Sequence, residues 1–243
     1  VLSAIREAGG YGITVKGGKF LEAVAEADTV VFDKTGTLTK AKPTVKEVIP
    51  FGDEPEEECL RIAACLEEHF PHSMANAVVD AAKKRRLAHE EMHSKVEYIV
   101  AHGISSCLLY TSDAAEELVA VICIEDPLRE EAADMIRMLR AEGIRKTVMM
   151  TGDSEKTAAA VAHRVGVDEY YAEVLPEEKA GFVEREKALG HKVIMIGDGI
   201  NDSPALSAAD AGIAISDGAE LAREIADITI AAEDLGELII LKR

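Results

Sequence analysis

The sequence predicts an α/β fold: a doubly wound parallel sheet with a smaller α+β domain inserted after its first strand. Three observations carry this. Short apolar runs recur at Thr29–Phe32, Val119–Ile124, Thr147–Met150, Val193–Ile196, Gly212–Ile215 and Ile228–Ile230, each reading as a strand buried on both faces. Helical patterns lie between them, at Arg129–Glu142, Ser154–Arg164, Glu177–Leu189 and Ala219–Ile225. Strand and helix alternating in this way build parallel sheets. Finally, the region from about Thr39 to Ala120 breaks the rhythm, so the expected division is 1–38 with 121–243, and 39–120 as the insert.

Taken in chain order, the first strand ends on Asp33 and runs straight into Asp33-Lys34-Thr35-Gly36-Thr37-Leu38-Thr39, where Gly36 permits a tight turn. The insert opens on turn-rich Lys42-Pro43 and Phe51-Gly52-Asp53-Glu54-Pro55, followed by helices at Glu56–Glu68 and Ser73–Leu87 and a strand-like Val96–Val100. After the insert, Ser154 behind Gly152-Asp153 reads as an N-cap, and Pro176 with Glu177 and Glu178 marks another helix start.

Bulk properties narrow the function. With 45 acidic against 27 basic residues the net charge is −18, Trp is absent and aromatics make up 4%. A nucleic-acid partner is excluded on both counts, since phosphate backbones need clustered cations and bases need stacking platforms. The single basic run, Lys83-Lys84-Arg85-Arg86, reads as a solvated helix end. Four cysteines without a C-x-x-C pair suit a reducing compartment, and Cys59 and Cys65 with His69 and His72 lack a standard metal-ligand spacing. No apolar run approaches the roughly 18 residues of a membrane span. Neither does a signal peptide open the chain, which as given reads as soluble.

The candidate chemistry lies at strand ends. Phe32-Asp33, Met150-Thr151-Gly152-Asp153 and Ile196-Gly197-Asp198-Gly199-Ile200-Asn201-Asp202 share one punctuation, and the carboxyl ends of parallel strands converge on one crevice. Asp33, Thr151, Asp198 and Asp202 are therefore expected together. Crowded carboxylates repel unless a cation neutralises them, and oxygen-rich ligation points to Mg²⁺ with substrate phosphate. Asp33 is the candidate nucleophile, Thr151 offers a hydroxyl, and Lys179 could aim its ammonium at the same oxygens. Each residue alone reads as a turn aspartate or a surface lysine; the ordered set of four elements is what points to phosphoryl transfer.

Asp33–Thr39, Thr151-Gly152-Asp153 and Gly197-Asp198-Gly199-Ile200-Asn201-Asp202 together resemble a P-type ATPase of the haloacid-dehalogenase-like superfamily, with its Rossmann-like sheet. Asp126-Pro127-Leu128-Arg129 is similar to the stretch where such chains return from their nucleotide-binding domain, and Val15-Lys16-Gly17-Gly18 resembles the heavy-metal-transporting subgroup. The resemblance implies a phosphorylation domain (1–38, 121–243) and a nucleotide-binding domain (39–120). It implies that ATP phosphorylates Asp33, with Mg²⁺ held by Asp33, the Thr35 carbonyl and Asp198. Lys34, Thr35, Thr151, Gly152, Asp153, Lys179, Asn201 and Asp202 would complete the catalytic set. Glu68, His72, His102 and Gly103 would meet the nucleotide, although Ser73 replaces the proline expected after His72 and Ala101 a glycine. The implied partners are a transported heavy-metal ion, transmembrane helices and an actuator domain absent here, at the cytoplasmic face of a membrane in the parent.

The insert also reads as short. After Gly103-Ile104 the family continues with further strands, whereas here Cys107–Ala115 leads almost directly to Val119 and reads like a translated transposon-type sequencing adapter. Two other readings stay open beside the ATPase: a free-standing phosphatase of the same superfamily, and an inert nucleotide- or Mg²⁺-binding fragment. Thr35 stands two residues after Asp33, where such phosphatases carry an Asp as general acid.

Overall fold

A computed structural model describes residues 2–68, 73–87, 93–99, 103–108, 119–199, 201–215, 224–231 and 235–242. The chain divides into two units, 1–41 with 128–243, and 42–127. The first holds α1 (Leu2–Gly10), β1 (Ile13–Val15), α2 (Gly18–Glu26) and β2 (Thr29–Asp33) before the insert. After it come α5 (Ala132–Ala141), β7 (Lys146–Met150), α6 (Glu155–Val165), β8 (Glu169–Tyr171), α7 (Pro176–Ala188), β9 (Val193–Gly197), α8 (Ser203–Ala208), β10 (Ala211–Ile215), β11 (Ile228–Ile230) and α9 (Glu237–Lys242).

These strands form a seven-stranded sheet in the order β1-β11-β10-β9-β2-β7-β8. Every neighbouring pair is parallel except β1 with β11. Alternation along the strands explains the two helix layers. Val30 and Phe32 of β2 face a core shared with Val24, Ile136, Leu139, Ala158 and Leu238, from α2, α5, α6 and α9. Val31 faces the opposite core, with Phe182, Val183 and Leu206 from α7 and α8. Both faces being covered is why these strands read as continuous apolar runs.

At the amino ends of the strands a recurring aspartate sets the register. Asp28, Asp168, Asp210 and Asp227 each precede a strand and accept a backbone N–H at the start of the strand beside it: Lys192 (3.2 Å), Thr147 (2.8 Å), Val193 (2.9 Å) and Gly212 (3.0 Å). The register then brings the carboxyl ends level, with Asp33 opposite Met150 and Phe32 opposite Ile196.

The second unit holds β3 (Thr44–Pro50), α3 (Glu56–Glu67), α4 (Ser73–Lys84), β4 (His93–Ile99), β5 (Gly103–Leu108) and β6 (Ala120–Glu125). Its two sheets are antiparallel pairs, β3 with β6 and β4 with β5. Val48, Cys59, Leu60, Ala64, Val78 and Ala82 form its core, with the cysteines behaving as small hydrophobes.

One strand expectation is corrected. Val119–Ile124 was expected in the large sheet, but it forms β6 and pairs with β3, Ile49 opposite Val121. An apolar run does not say which sheet it joins, and this one is only half-buried. Ser154 stands at the N-cap of α6 as expected, yet its hydroxyl meets the Thr157 hydroxyl at 3.2 Å instead of capping a backbone N–H. Most of the helix expected over Ala219–Ile225, and Leu109–Ala115 of the adapter-like stretch, lie outside the described residues. Among the described residues no helix is long and apolar enough to cross a membrane.

Candidate active site

Asp33 is the last residue of β2 and is almost wholly buried. The chain then turns through Thr35 (φ −75°, ψ 126°) and Gly36 (φ +75°), a left-handed conformation that favours glycine. Thr39 closes the loop: its N–H donates to the Lys34 carbonyl at 3.1 Å, and its hydroxyl accepts from the Gly36 N–H at 3.1 Å. A Cβ on Gly36 would stand 3.4 Å from Cβ of Asp198, so the loop lies against the residue that follows β9. The chain leaves and re-enters this unit side by side, with the Arg129 N–H donating to the Leu38 carbonyl at 2.9 Å.

Lys179 is delivered by the start of α7. Pro176 occupies the first turn, and the Glu178 carboxylate accepts the Leu175 N–H at 2.8 Å. Four residues into the helix, the Lys179 ammonium donates to Asp33 Oδ1 at 2.6 Å and to Asp202 Oδ1 at 2.7 Å. All three side chains are buried. The structure thus gathers Asp33, Lys179 and Asp202, with Asp198 beside the turn. Thr151 joins them in register, one position beyond the Met150 that pairs with Asp33, and its Oγ1 accepts the Asp153 N–H at 3.1 Å.

Lys34 and Asp153 form a further ion pair at 2.6 Å, with Lys34 buried. It ties the turn after β2 to the turn after β7. Both residues were singled out from the sequence, but their pairing was not, because neither motif marks the other as its partner. Asn201 closes on Asp198, its backbone N–H reaching Oδ1 at 3.3 Å and its amide reaching Oδ2 at 3.2 Å. Gly152 sits between Thr151 and Asp153 in the same turn.

The electrostatics follow from two carboxylates sharing one buried ammonium, with Asp198 nearby. Burial, then the Asp202 charge, raises Asp33 to about 6 against the attraction of Lys179, with Asp198 adding to the rise. Burial also raises Asp202, again opposed by Lys179. Lys179 is itself raised: burial alone would lower it, but the two carboxylates outweigh that.

A divalent cation fits this arrangement. Asp33, Asp198 and Asp202 outnumber the ammonium of Lys179, so negative charge is in excess, and the donors are oxygens. No cluster of three or more His, Cys, Asp or Glu side chains among them could hold a metal alone. Mg²⁺ keeps waters and substrate oxygens in its shell and takes only one or two carboxylates.

Of the residues expected to meet a nucleotide, Glu68 directly follows α3 and Gly103 opens β5, both in the second unit. Glu68 lines a small cleft between α3 and α4 with Arg61, Val79 and Lys83. His72 and His102 lie outside the described residues, as does Ile200.

Residues 27–210 match the family model of haloacid dehalogenase-like hydrolases. The chain is 37% identical over 278 positions to a manganese-exporting P-type ATPase of Mycobacterium bovis, covering 98% of this chain and 39% of that protein. It is 35% identical over 261 positions to a copper-exporting P-type ATPase of Staphylococcus aureus, covering 92% and 32%. The chain therefore spans well under half of these relatives. A match of 278 positions is also longer than the 243-residue chain, so the relative carries residues that this chain lacks. Among solved structures, a zinc-transporting PIB-type ATPase in the E2.Pi state superposes with TM-score 0.86 at 32% identity, covering all of this chain and 45% of that one. The catalytic domain of the CPx-ATPase CopB-B, from a study of conformational changes upon nucleotide binding, superposes with TM-score 0.84 at 30% identity, covering 98% of both chains.

Proposed function

The chain belongs to the haloacid dehalogenase-like hydrolases, and on that premise we propose that it is the catalytic part of a heavy-metal-exporting P-type ATPase, transferring the γ-phosphoryl group of ATP to Asp33. The observation that carries this reading is the Lys179 ammonium held between Asp33 and Asp202 at the mouth of the Lys34–Thr39 turn. An Asp33 oxygen attacks the γ-phosphorus, the bond to the bridging oxygen breaks, and ADP leaves with that electron pair. Lys179 and the Thr151 hydroxyl stabilise the charge on the equatorial oxygens. Water then attacks the phosphorus of the aspartyl-phosphate, the P–O bond to Asp33 breaks with its electron pair restoring the carboxylate, and inorganic phosphate leaves with the protons of the water.

Asp33, the Thr35 carbonyl and Asp198 would hold Mg²⁺, which when bound neutralises the phosphate oxygens. Asp202 and the Lys34–Asp153 pair position Lys179 and the turn. The adenine is assigned to the second unit, with Glu68, His72, His102 and Gly103. In the parent, membrane helices carry the metal ion and the catalytic part works at the cytoplasmic face. Thr35 favours this reading over a free-standing phosphatase, because a threonine cannot act as the general acid that speeds turnover.

The test is incubation with γ-labelled ATP and Mg²⁺ followed by an acid quench. Hydroxylamine-labile label, absent in Asp33→Asn, is expected. Rapid turnover of small phosphate esters would support the phosphatase instead, and absence of label under every condition would support the inert fragment.

A further inference from the structure

The buried stripe of α7 is Lys179, Phe182, Val183 and Glu186, two apolar residues between a cation and an anion. Lys179 belongs to the site already described, but nothing in the proposed chemistry calls for Glu186. Its carboxylate is nonetheless buried, and Oε1 accepts from the Lys146 ammonium at 3.0 Å. Lys146 also lies 3.2 Å from Glu169 Oε2 and stacks 5.6 Å from the Phe182 ring centroid. Burial would lower Lys146, yet the two carboxylates outweigh it and raise the group. His191 lies nearby, its Nε2 3.9 Å from Glu186 Oε2, beyond hydrogen-bond reach, and its Nδ1 3.4 Å from Asp28 Oδ2.

Lys146 is the first residue of β7, and β7 pairs with β2 throughout, from Thr29 opposite Lys146 to Asp33 opposite Met150. The α7 helix is therefore pinned at both ends to one strand ladder. Lys179 is tied to the carboxyl end through Asp33, and Glu186 to the amino end through Lys146. The spans are comparable, within about 2.5 Å: seven helical residues rise about 10.5 Å, and four strand residues cover about 13 Å. Apolar contacts at Phe182 and Val183 are less directional than a hydrogen-bonded ion pair, here between a buried Glu186 and a partly exposed Lys146, which is specific in geometry even where it adds little net stability.

We propose that Glu186, through its ion pair with Lys146, is a positioning residue that fixes the axial setting of α7 and so holds the Lys179 ammonium on Asp33. Its role in catalysis rests on the function proposed above; the placement of Lys179 does not.

The experiment therefore reads two quantities on Glu186→Gln, Lys146→Met and the charge-swapped set Lys146→Glu with Glu186→Lys and Glu169→Lys, in which both carboxylate partners of Lys146 are exchanged. The first is the acylation rate of Lys179 by an amine-reactive reagent, mapped by peptide mass spectrometry without ATP. Lys242 is also buried, with its ammonium donating to the carbonyls of Val24, Ala25 and Ala27, and as a lysine outside α7 it serves as the comparison in the same sample. The second is the single-turnover rate of acyl-phosphate formation. Each single variant is expected to expose Lys179 but not Lys242 and to slow phosphorylation ~10- to 100-fold at unchanged apparent ATP affinity, with the swap restoring protection and most of the rate. Lys179 remaining as protected as in the wild type, or opening only in step with Lys242, would overturn the proposal. Loss of label in the wild type would count against the proposed function alone, since the acylation readout still decides this one.

Discussion

Lys179 and Asp33, separated by 146 positions in sequence, meet through a 2.6 Å hydrogen bond between buried charged groups. Neither group is stable in that place without the other, and Asp202 takes the second donor of the same ammonium. Replacing Lys179 by Met keeps much of the apolar stem but leaves two buried carboxylates facing each other. Phosphorylation of Asp33 is expected to fall by about 10²-fold or more, measured as the single-turnover rate. An unchanged rate would remove Lys179 from the catalytic set.

On the proposed assignment of Mg²⁺ to Asp33, its raised value makes metal binding pH-dependent. Its ordinary value is 3.8 and its value in the fold is about 6. Through that interval the folded chain holds a proton that the unfolded chain has shed. This group's contribution to stability therefore decreases as pH rises through the window and levels off above it. Bound Mg²⁺ must displace the same proton, so it should stabilise the protein more at pH 7.5 than at pH 5.0. Urea midpoints with Mg²⁺ and with EDTA at the two pH values give the difference, and an equal gain at both would contradict the assignment. Taking the difference cancels the strand-start aspartates.

Gly197 is the last residue of β9, and a side chain there would collide with Asp202, its Cβ standing 2.9 Å from the Asp202 Cβ. Gly197→Ala is expected to cost about 1–3 kcal/mol of stability and to displace Asp202 from Lys179. Unfolding midpoints and phosphorylation rates should fall together; a fully active alanine variant would show that the displacement is harmless.

Asp168 accepts from the Thr147 N–H at 2.8 Å and the Thr147 hydroxyl at 2.7 Å, and its salt bridge with Arg140 also spans 2.8 Å. Burial would raise this carboxyl, but the hydrogen bonds from Thr147 and the Arg140 charge hold it below its ordinary value. Its stabilising contribution is complete above the ordinary carboxylate range and is lost as pH falls through its own lowered value. Asp168→Ala, which leaves the fully buried Thr147 N–H without that acceptor, should cost about 1–3 kcal/mol at pH 7 with a smaller loss near pH 3. Denaturant midpoints at the two pH values test this.

Much of the site was legible because each part announces itself locally. Asp33 and Asp198 follow directly on apolar runs, and parallel strands bring such ends together. Lys179 was legible only as the residue four places into a proline-started helix whose neighbours supplied its meaning. What stayed hidden were pairings across long stretches of chain. Nothing beside Lys34 names Asp153, nothing beside Glu186 names Lys146, and the apolar run ending at Ile124 does not reveal that β3, some 75 residues earlier, is its partner. Edge strands of three residues, such as β1 and β8, are too short for alternation to register at all.

The identity of the phosphorylated residue decides the chemistry. After reaction with ATP and Mg²⁺, an acyl-phosphate can be reduced with borohydride, which converts an aspartyl-phosphate to homoserine, and the peptide spanning residues 29–40 can be sequenced by mass spectrometry. Homoserine at position 33, dependent on ATP and diminished in Lys179→Met, is the expected outcome. Reduction at any other carboxylate, or an unmodified Asp33 in protein that has demonstrably turned over ATP, would mean that the group clasped by Lys179 is not the nucleophile.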